Sequence, residues 1–143
     1  MLTIRHDQNT IVIESDSMGA YRNEATENCL KFIKRYGAHE SSGIMIVFRE
    51  LLINAVQHGC AANVFQQSIK IEIKHLSNGM FKITVTDSGP GFRYRQLDLE
   101  SVPDDPRHVT NRGYRLIRTF SKEIEFNEAG NSVTAYVPAQ EKN

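Results

Sequence analysis

The stretch 43–58 limits this chain more than any other part of its sequence. Ile44, Met45, Ile46, Val47, Phe48, Leu51, Leu52, Ile53, Ala55 and Val56 recur with helical spacing and cover nearly the whole circumference of a helix. A helix apolar on almost all sides cannot lie on a surface; it has to be enclosed by other elements. The fold must therefore supply a sheet and further helices to surround it, and its few polar residues need a reason to be there. Glu50, Asn54 and His58 are each four residues apart. Each step drifts only about 40° around the helix and rises about 6 Å, so the three form one polar stripe on an apolar cylinder. A carboxylate and an amide in a core are costly unless paired or facing a cavity.

The rest of the chain supplies the surrounding elements. Residues 2–6 and 10–15 alternate apolar and polar across Asp7-Gln8-Asn9, a hairpin pattern. Met18, Tyr21, Ala25, Cys29, Phe32, Ile33 and Tyr36 follow at spacings of three and four, which predicts an amphipathic helix over about 17–36, with Ser15, Asp16 or Ser17 as N-cap and Gly37 as terminator. Ser41 or Ser42 is placed to cap the apolar helix. Residues 68–76 and 80–87 alternate again around the turn Ser77-Asn78-Gly79, with Ile69, Ile71, Ile73, Phe81, Ile83 and Val85 inward. From 92 to 110 the pattern dissolves, a length that in compact domains points to a functional lid or a disordered segment. A short helix over 112–121 and a hairpin of 123–126 with 132–137 complete the order. The expected class is α+β: one domain over 1–143, with helices layered on one face of a largely antiparallel sheet.

Composition narrows the function. Lys plus Arg and Asp plus Glu are both 17, so the net charge is zero. That balance argues against charge-driven binding to nucleic acid or to an anionic membrane. No run of 18 apolar residues is present, and the N-terminus lacks a signal-peptide core, so the expected location is the cytoplasm. Two cysteines, Cys29 and Cys60, are too few for a disulfide framework or a zinc site and read as idle thiols.

Three constellations can carry chemistry. On the apolar helix, Asn54 offers an amide oxygen suited to Mg²⁺ shared with phosphates, and Glu50 can accept a proton. Glu50 has a competing reading as an ion pair with Arg49 or Arg22; His58 before Gly59 has one as a helix C-cap, and the cap reading carries most of the weight. Asp87 ends a strand and opens the run Asp87-Ser88-Gly89-Pro90-Gly91-Phe92, whose glycines leave room beside a carboxylate able to accept a hydrogen bond from the amine of adenine. An Asx-type turn is the plain alternative. Asn111-Arg112-Gly113-Tyr114-Arg115 sets a glycine just ahead of a predicted helix, where free N–H groups and arginines suit phosphate; an exposed basic helix start is the alternative.

Taken in order, E-L-x-x-N-A-x-x-H-G at 50–59, D-x-G-P-G-F at 87–92 and R-G-x-x-L-I at 112–117 resemble the ATP-binding (Bergerat) fold of the gyrase, chaperone, histidine-kinase and mismatch-repair superfamily. The short chain and the third motif are most similar to the bacterial anti-sigma-factor and switch serine/threonine kinases of partner-switching systems. The resemblance implies a two-layer sandwich of helices on a mostly antiparallel, mixed sheet, with an ATP lid at about 92–112. It implies Glu50 as the base that activates the attacking hydroxyl and Asn54 as the Mg²⁺ ligand. It implies Asp87, Gly89 and Gly91 at the adenine, Arg112 and Gly113 closing over the phosphates, and His58, Phe92, Tyr114 and Arg115 among the nucleotide contacts. Asn111 and Arg115 stand where many members carry glycine; Arg115 either crowds the lid hinge or brings positive charge toward the γ-phosphate. The implied activity is Mg²⁺-ATP-dependent phosphorylation of a Ser or Thr on a STAS-type antagonist, with control of a sigma factor or similar regulator and a possible homodimer. The alternative is a nucleotide-gated partner-binding module without turnover.

Overall fold

The computed structural model describes residues 1–39, 42–59, 68–88 and 109–139, with the backbone alone at 18, 57–59 and 109–113. Six strands and three helices follow the chain as β1 (Leu2–His6), β2 (Thr10–Ser15), α1 (Met18–Lys34), α2 (Gly43–Gly59), β3 (Ile69–His75), β4 (Met80–Asp87), α3 (Val109–Phe120), β5 (Glu123–Phe126) and β6 (Ser132–Pro138). The strands form one sheet in the order β1-β2-β3-β4-β6-β5. All five pairings are antiparallel, so no parallel pair accompanies them among the described residues.

The alternation read from the sequence sets the register. Ile11 pairs with Ile73, Ile73 with Ile83 and Ile83 with Ala135; one step along, Ile13 pairs with Ile71, Ile71 with Val85 and Val85 with Val133. These rows are buried on one face of the sheet. Slipping any strand by one residue would turn its isoleucines to water and its Lys, Glu or Thr residues into the core.

The helices cover that face. α1 packs over β2, α2 over β3, β4 and β6, and α3 over β5 and β6, so α2 lies in the middle with a helix on either side. This placement answers the requirement of its sequence: among its described side chains only Arg49 is exposed, while Ile44, Met45, Val47, Phe48, Leu51 and Leu52 are buried. α1 ends as expected at Gly37, whose φ of 86° is open to glycine. There the Gly37 N–H donates to the Lys34 carbonyl (3.2 Å) and the Ala38 N–H to the Ile33 carbonyl (3.4 Å), the Schellman arrangement. Of the serines anticipated as helix caps, Ser41 lies outside the described residues. Ser17 sits at the N-cap of α1 without a side-chain bond, its own N–H donating instead to Ser15 Oγ at 3.0 Å. Ser42 turns its hydroxyl back to the His39 carbonyl at 2.6 Å.

At the end of the sheet away from Asp87, Tyr36 at the close of α1 stacks on His75 at 3.8 Å between centroids, with Phe81 edge-on to both rings. Burial lowers the His75 pKa from its ordinary 6.5, because partial withdrawal from water penalises the charged imidazolium. Stability from this group is therefore complete above the unfolded value of 6.5 and is lost as pH falls through the lower folded value. Urea midpoints measured from pH 7.5 downward should fall on the acid side, and the fall should be shallower in a His75→Phe variant, which keeps the stacked ring and cannot titrate.

Candidate functional site

The site forms where three elements end or cross near the C-terminal end of β4. Asp87 continues the inward series Phe81, Ile83, Val85, so its carboxylate is carried on the helix-covered face of the sheet, where it is half-buried. Its N–H donates to the Asn131 carbonyl at 2.9 Å, which extends the β4–β6 pairing by one residue. Asn54 reaches the same place from α2. It is 3% exposed, and its Nδ2 has no hydrogen-bond partner among the described residues. Tyr114 arrives from α3 at 2% exposure. Leu51, Asn54, Ala55, Val85, Asp87, Tyr114, Gly130, Asn131 and Val133 line a cavity of about 10 Å³, close to the minimum for a single water.

The Asn54 amide is costly for its place in the core. A buried amide with an unmade hydrogen bond costs about 1–3 kcal/mol, and natural cores rarely keep such a group without a use for it. Tyr114 is held protonated: burial raises its pKa, and the negative charge of Asp87 raises it further. Among the described residues no group of three or more His, Cys, Asp or Glu gathers. The Asn54 carboxamide, whose oxygen and nitrogen exchange places by a half-turn, is a donor of the type that suits a hard cation shared with phosphate oxygens.

The remaining expected site residues divide three ways. Glu50 is half-buried one turn before Asn54, about 6 Å back along the helix axis. It is outside the cavity wall, and it makes no ion pair with Arg49 or Arg22 among the described residues. His58 is in the last turn of α2, where only backbone is described. Gly89, Gly91 and Phe92 lie outside the described residues, as do 92–108 of the expected lid.

The third group needs a correction. Gly113 was expected at the very start of a helix, near 112, but α3 begins at Val109, so Arg112 and Gly113 sit inside it. A glycine within a helix costs about 1 kcal/mol relative to alanine. Burial of Tyr114 and Ile117 against α2 outweighs that cost and carries the helix back through the glycine. In this arrangement the Gly113 N–H falls within the helical ladder. Arg115 is half-buried, and its Nε is shielded without a hydrogen-bond partner among the described residues.

One wall of the cavity was not foreseen. The turn between β5 and β6 read only as a loop, yet Gly130 and Asn131 line the site. Asn127 holds them: its Oδ1 accepts from the N–H groups of Gly130 (2.8 Å), Asn131 (3.0 Å) and Ser132 (3.1 Å). An Asn three residues before a glycine of positive φ (79° at Gly130) is a turn signal in the sequence; that the turn borders Asp87 is set only by the β4–β6 pairing. The unmade bond at Asn54 predicts a conflict between stability and function. Asn54→Leu should raise unfolding stability by about 1 kcal/mol, read from the urea midpoint. It should also remove any Mg²⁺-dependent nucleotide binding in titration calorimetry.

The sequence model described as the histidine kinase-like ATPase domain matches residues 13–137, from within β2 to within β6. A comparison with curated proteins returned no match. No helix among the described residues is long and apolar enough to cross a membrane. The match spans nearly every described element, and the α+β architecture, with its antiparallel sheet and covering helices, agrees with it. The chain belongs to the histidine kinase-like ATPase domain family.

Proposed function

We propose that the protein binds Mg²⁺-ATP between α2 and the end of β4 and transfers its γ-phosphoryl group to a Ser or Thr hydroxyl. The acceptor would be a small STAS-type antagonist in the cytoplasm, and the transfer would release or capture a sigma factor or similar regulator. The observation that carries the nucleotide reading is the convergence of Asn54 and Asp87 on one cavity, with the Asn54 amide unmatched in the core. Asp87 accepts a hydrogen bond from the adenine N6 amine; guanine would set its O6 acceptor against the carboxylate. Asn54 turns its amide oxygen toward the cation. When bound, the magnesium ion neutralises phosphate charge.

The transfer itself asks little covalent work of the protein. The acceptor oxygen forms a bond to the γ-phosphorus, the bridging bond to the β-phosphate breaks, ADP leaves, and the hydroxyl proton passes to Glu50. Glu50 suits that task by its position. It is half-buried one turn from Asn54 and committed to no ion pair among the described residues, so it is available to an acceptor arriving from outside the base crevice.

A second reading is a nucleotide-gated module that holds its partner without turnover. It is favoured by the position of Glu50 outside the cavity wall and by the arginine at 115. Glu50→Gln separates the two. Under the kinase reading it lowers transfer of labelled phosphate to the cognate antagonist by about 10²-fold or more and leaves Mg²⁺-ATP affinity within a factor of about three. Unchanged partner binding with no transfer by the wild type would favour the module.

Asp87→Asn tests the nucleotide itself. Loss of a hydrogen bond to a charged acceptor should weaken ATP binding by about tenfold or more, with little change for GTP. Titration calorimetry with the wild-type chain giving no heat with Mg²⁺-ATP would overturn the whole reading.

A further inference from the structure

Tyr114 stands where a base would have to enter. Its side chain is 2% exposed, it lines the same cavity as Asn54 and Asp87, and the space left is about 10 Å³, room for about one water and far too little for a purine. Its ring also packs on Phe126 of β5, with centroids 5.6 Å apart. The tyrosine is therefore wedged between α2 and the sheet, and it is tied to the second turn of α3.

That part of α3 is poorly made to be a helix on its own account. Val109, Thr110, Asn111 and Gly113 are all weak helix formers, two of them β-branched and one a glycine. No acidic residue stands in the first turn to complement the helix dipole. Among described side chains, the first anchor in this helix is Tyr114 itself, followed by Ile117 one turn later. The winding of 109–113 and the seating of Tyr114 in the cavity thus support each other.

From this we infer that the start of α3 is a gate on the nucleotide crevice. While the helix is wound back to Val109, Tyr114 fills the base position beside Asp87 and the Gly113 N–H is spent inside the ladder. Unwinding as far as Gly113 withdraws the ring and frees that N–H for a phosphate. One transition opens the base subsite and completes the phosphate subsite, so nucleotide selects the unwound state. The raised pKa of Tyr114 fits the closed state, since burial and a neighbouring carboxylate both favour the neutral phenol. The inference rests on the nucleotide reading proposed above, but the coupling of Tyr114 to the winding of 109–113 is measurable without any ligand.

Amide hydrogen exchange on the full chain tests it. In the absence of nucleotide, Tyr114→Ala should speed exchange at 110–113 by about tenfold or more relative to the wild type, with 116–119 still protected. Equal rates would overturn the gate. With saturating Mg²⁺-ATP, the wild type should lose protection at 110–113; a gain there would overturn the gate. Affinities supply the second arm. Tyr114→Ala should tighten Mg²⁺-ATP binding by about tenfold, because the cost of opening no longer subtracts from it. The double variant Val109→Ala/Thr110→Ala favours the wound helix and should weaken binding about threefold to fivefold. Weaker binding by a folded Tyr114→Ala variant would make Tyr114 a wall of the site and overturn the gate. Should that variant fail to fold, wild-type exchange and the alanine pair decide the matter. Exchange behaving as expected, with no Mg²⁺-ATP binding by any of these proteins, would overturn the nucleotide reading and uphold the coupling.

Discussion

The burial of α2 is the constraint on which the other features depend. Its side chains are apolar nearly all the way round, and only Arg49 among the described ones reaches water freely. Such a helix gains its stability from being enclosed, at roughly 25 cal/mol for each Å² of apolar surface withdrawn from water. Enclosure needs a sheet beneath it and helices beside it, which β3, β4, β6, α1 and α3 provide. It also makes any polar atom on the helix expensive, and Asn54 is the atom on which that expense falls. Stability alone would have replaced this amide with a leucine. Its retention sets the polarity of the cavity and, through it, the chemistry that can occur there.

The second determinant is the end of β4. The alternation that drives Ile83 and Val85 into the core carries Asp87 inward as well, because the side-chain period of a strand is two. A carboxylate thus arrives, half-buried, on the apolar face at the end of the strand. The β4–β6 register brings Gly130 and Asn131 alongside, and Asn127 fixes that turn by accepting three backbone N–H groups. α3 then closes the remaining side with Tyr114. Two helices, two strands and a hairpin turn contribute to one small polar cavity, and its described lining residues span 51 to 133 of the chain.

Elements with a strong period were legible because period reports directly on which face is buried. The hairpin of β1 and β2, the bounds of β4 and β5, the Gly37 terminator of α1 and the enclosed character of α2 all follow from residue spacing alone. Asn54 and Asp87 were recognisable as candidates because each is a polar residue in a place where polarity is costly. The start of α3 was not legible: Val109, Thr110, Asn111 and Gly113 have low helix propensity, and only the packing of Tyr114 and Ile117 against α2 pulls them into a helix. The serine positions were legible but their bonds were not: Ser17 holds the N-cap of α1 without a side-chain cap bond, and the Ser42 hydroxyl donates back to the His39 carbonyl.

The amino-acid order alone settled the α+β class and the antiparallel pairing of neighbouring strands, and it marked Asn54 and Asp87 as candidates. Those properties arise from local periodicity and from the cost of burying charge, which act over a few residues and need no knowledge of distant ones. The tertiary structure alone decided that Asn54 and Asp87 share a cavity while Glu50 stands outside it, that the 127–131 turn forms a wall, and that Tyr114 occupies the interior. These are contacts between elements tens of residues apart, fixed by strand register and helix packing against a common sheet, and no local pattern encodes them.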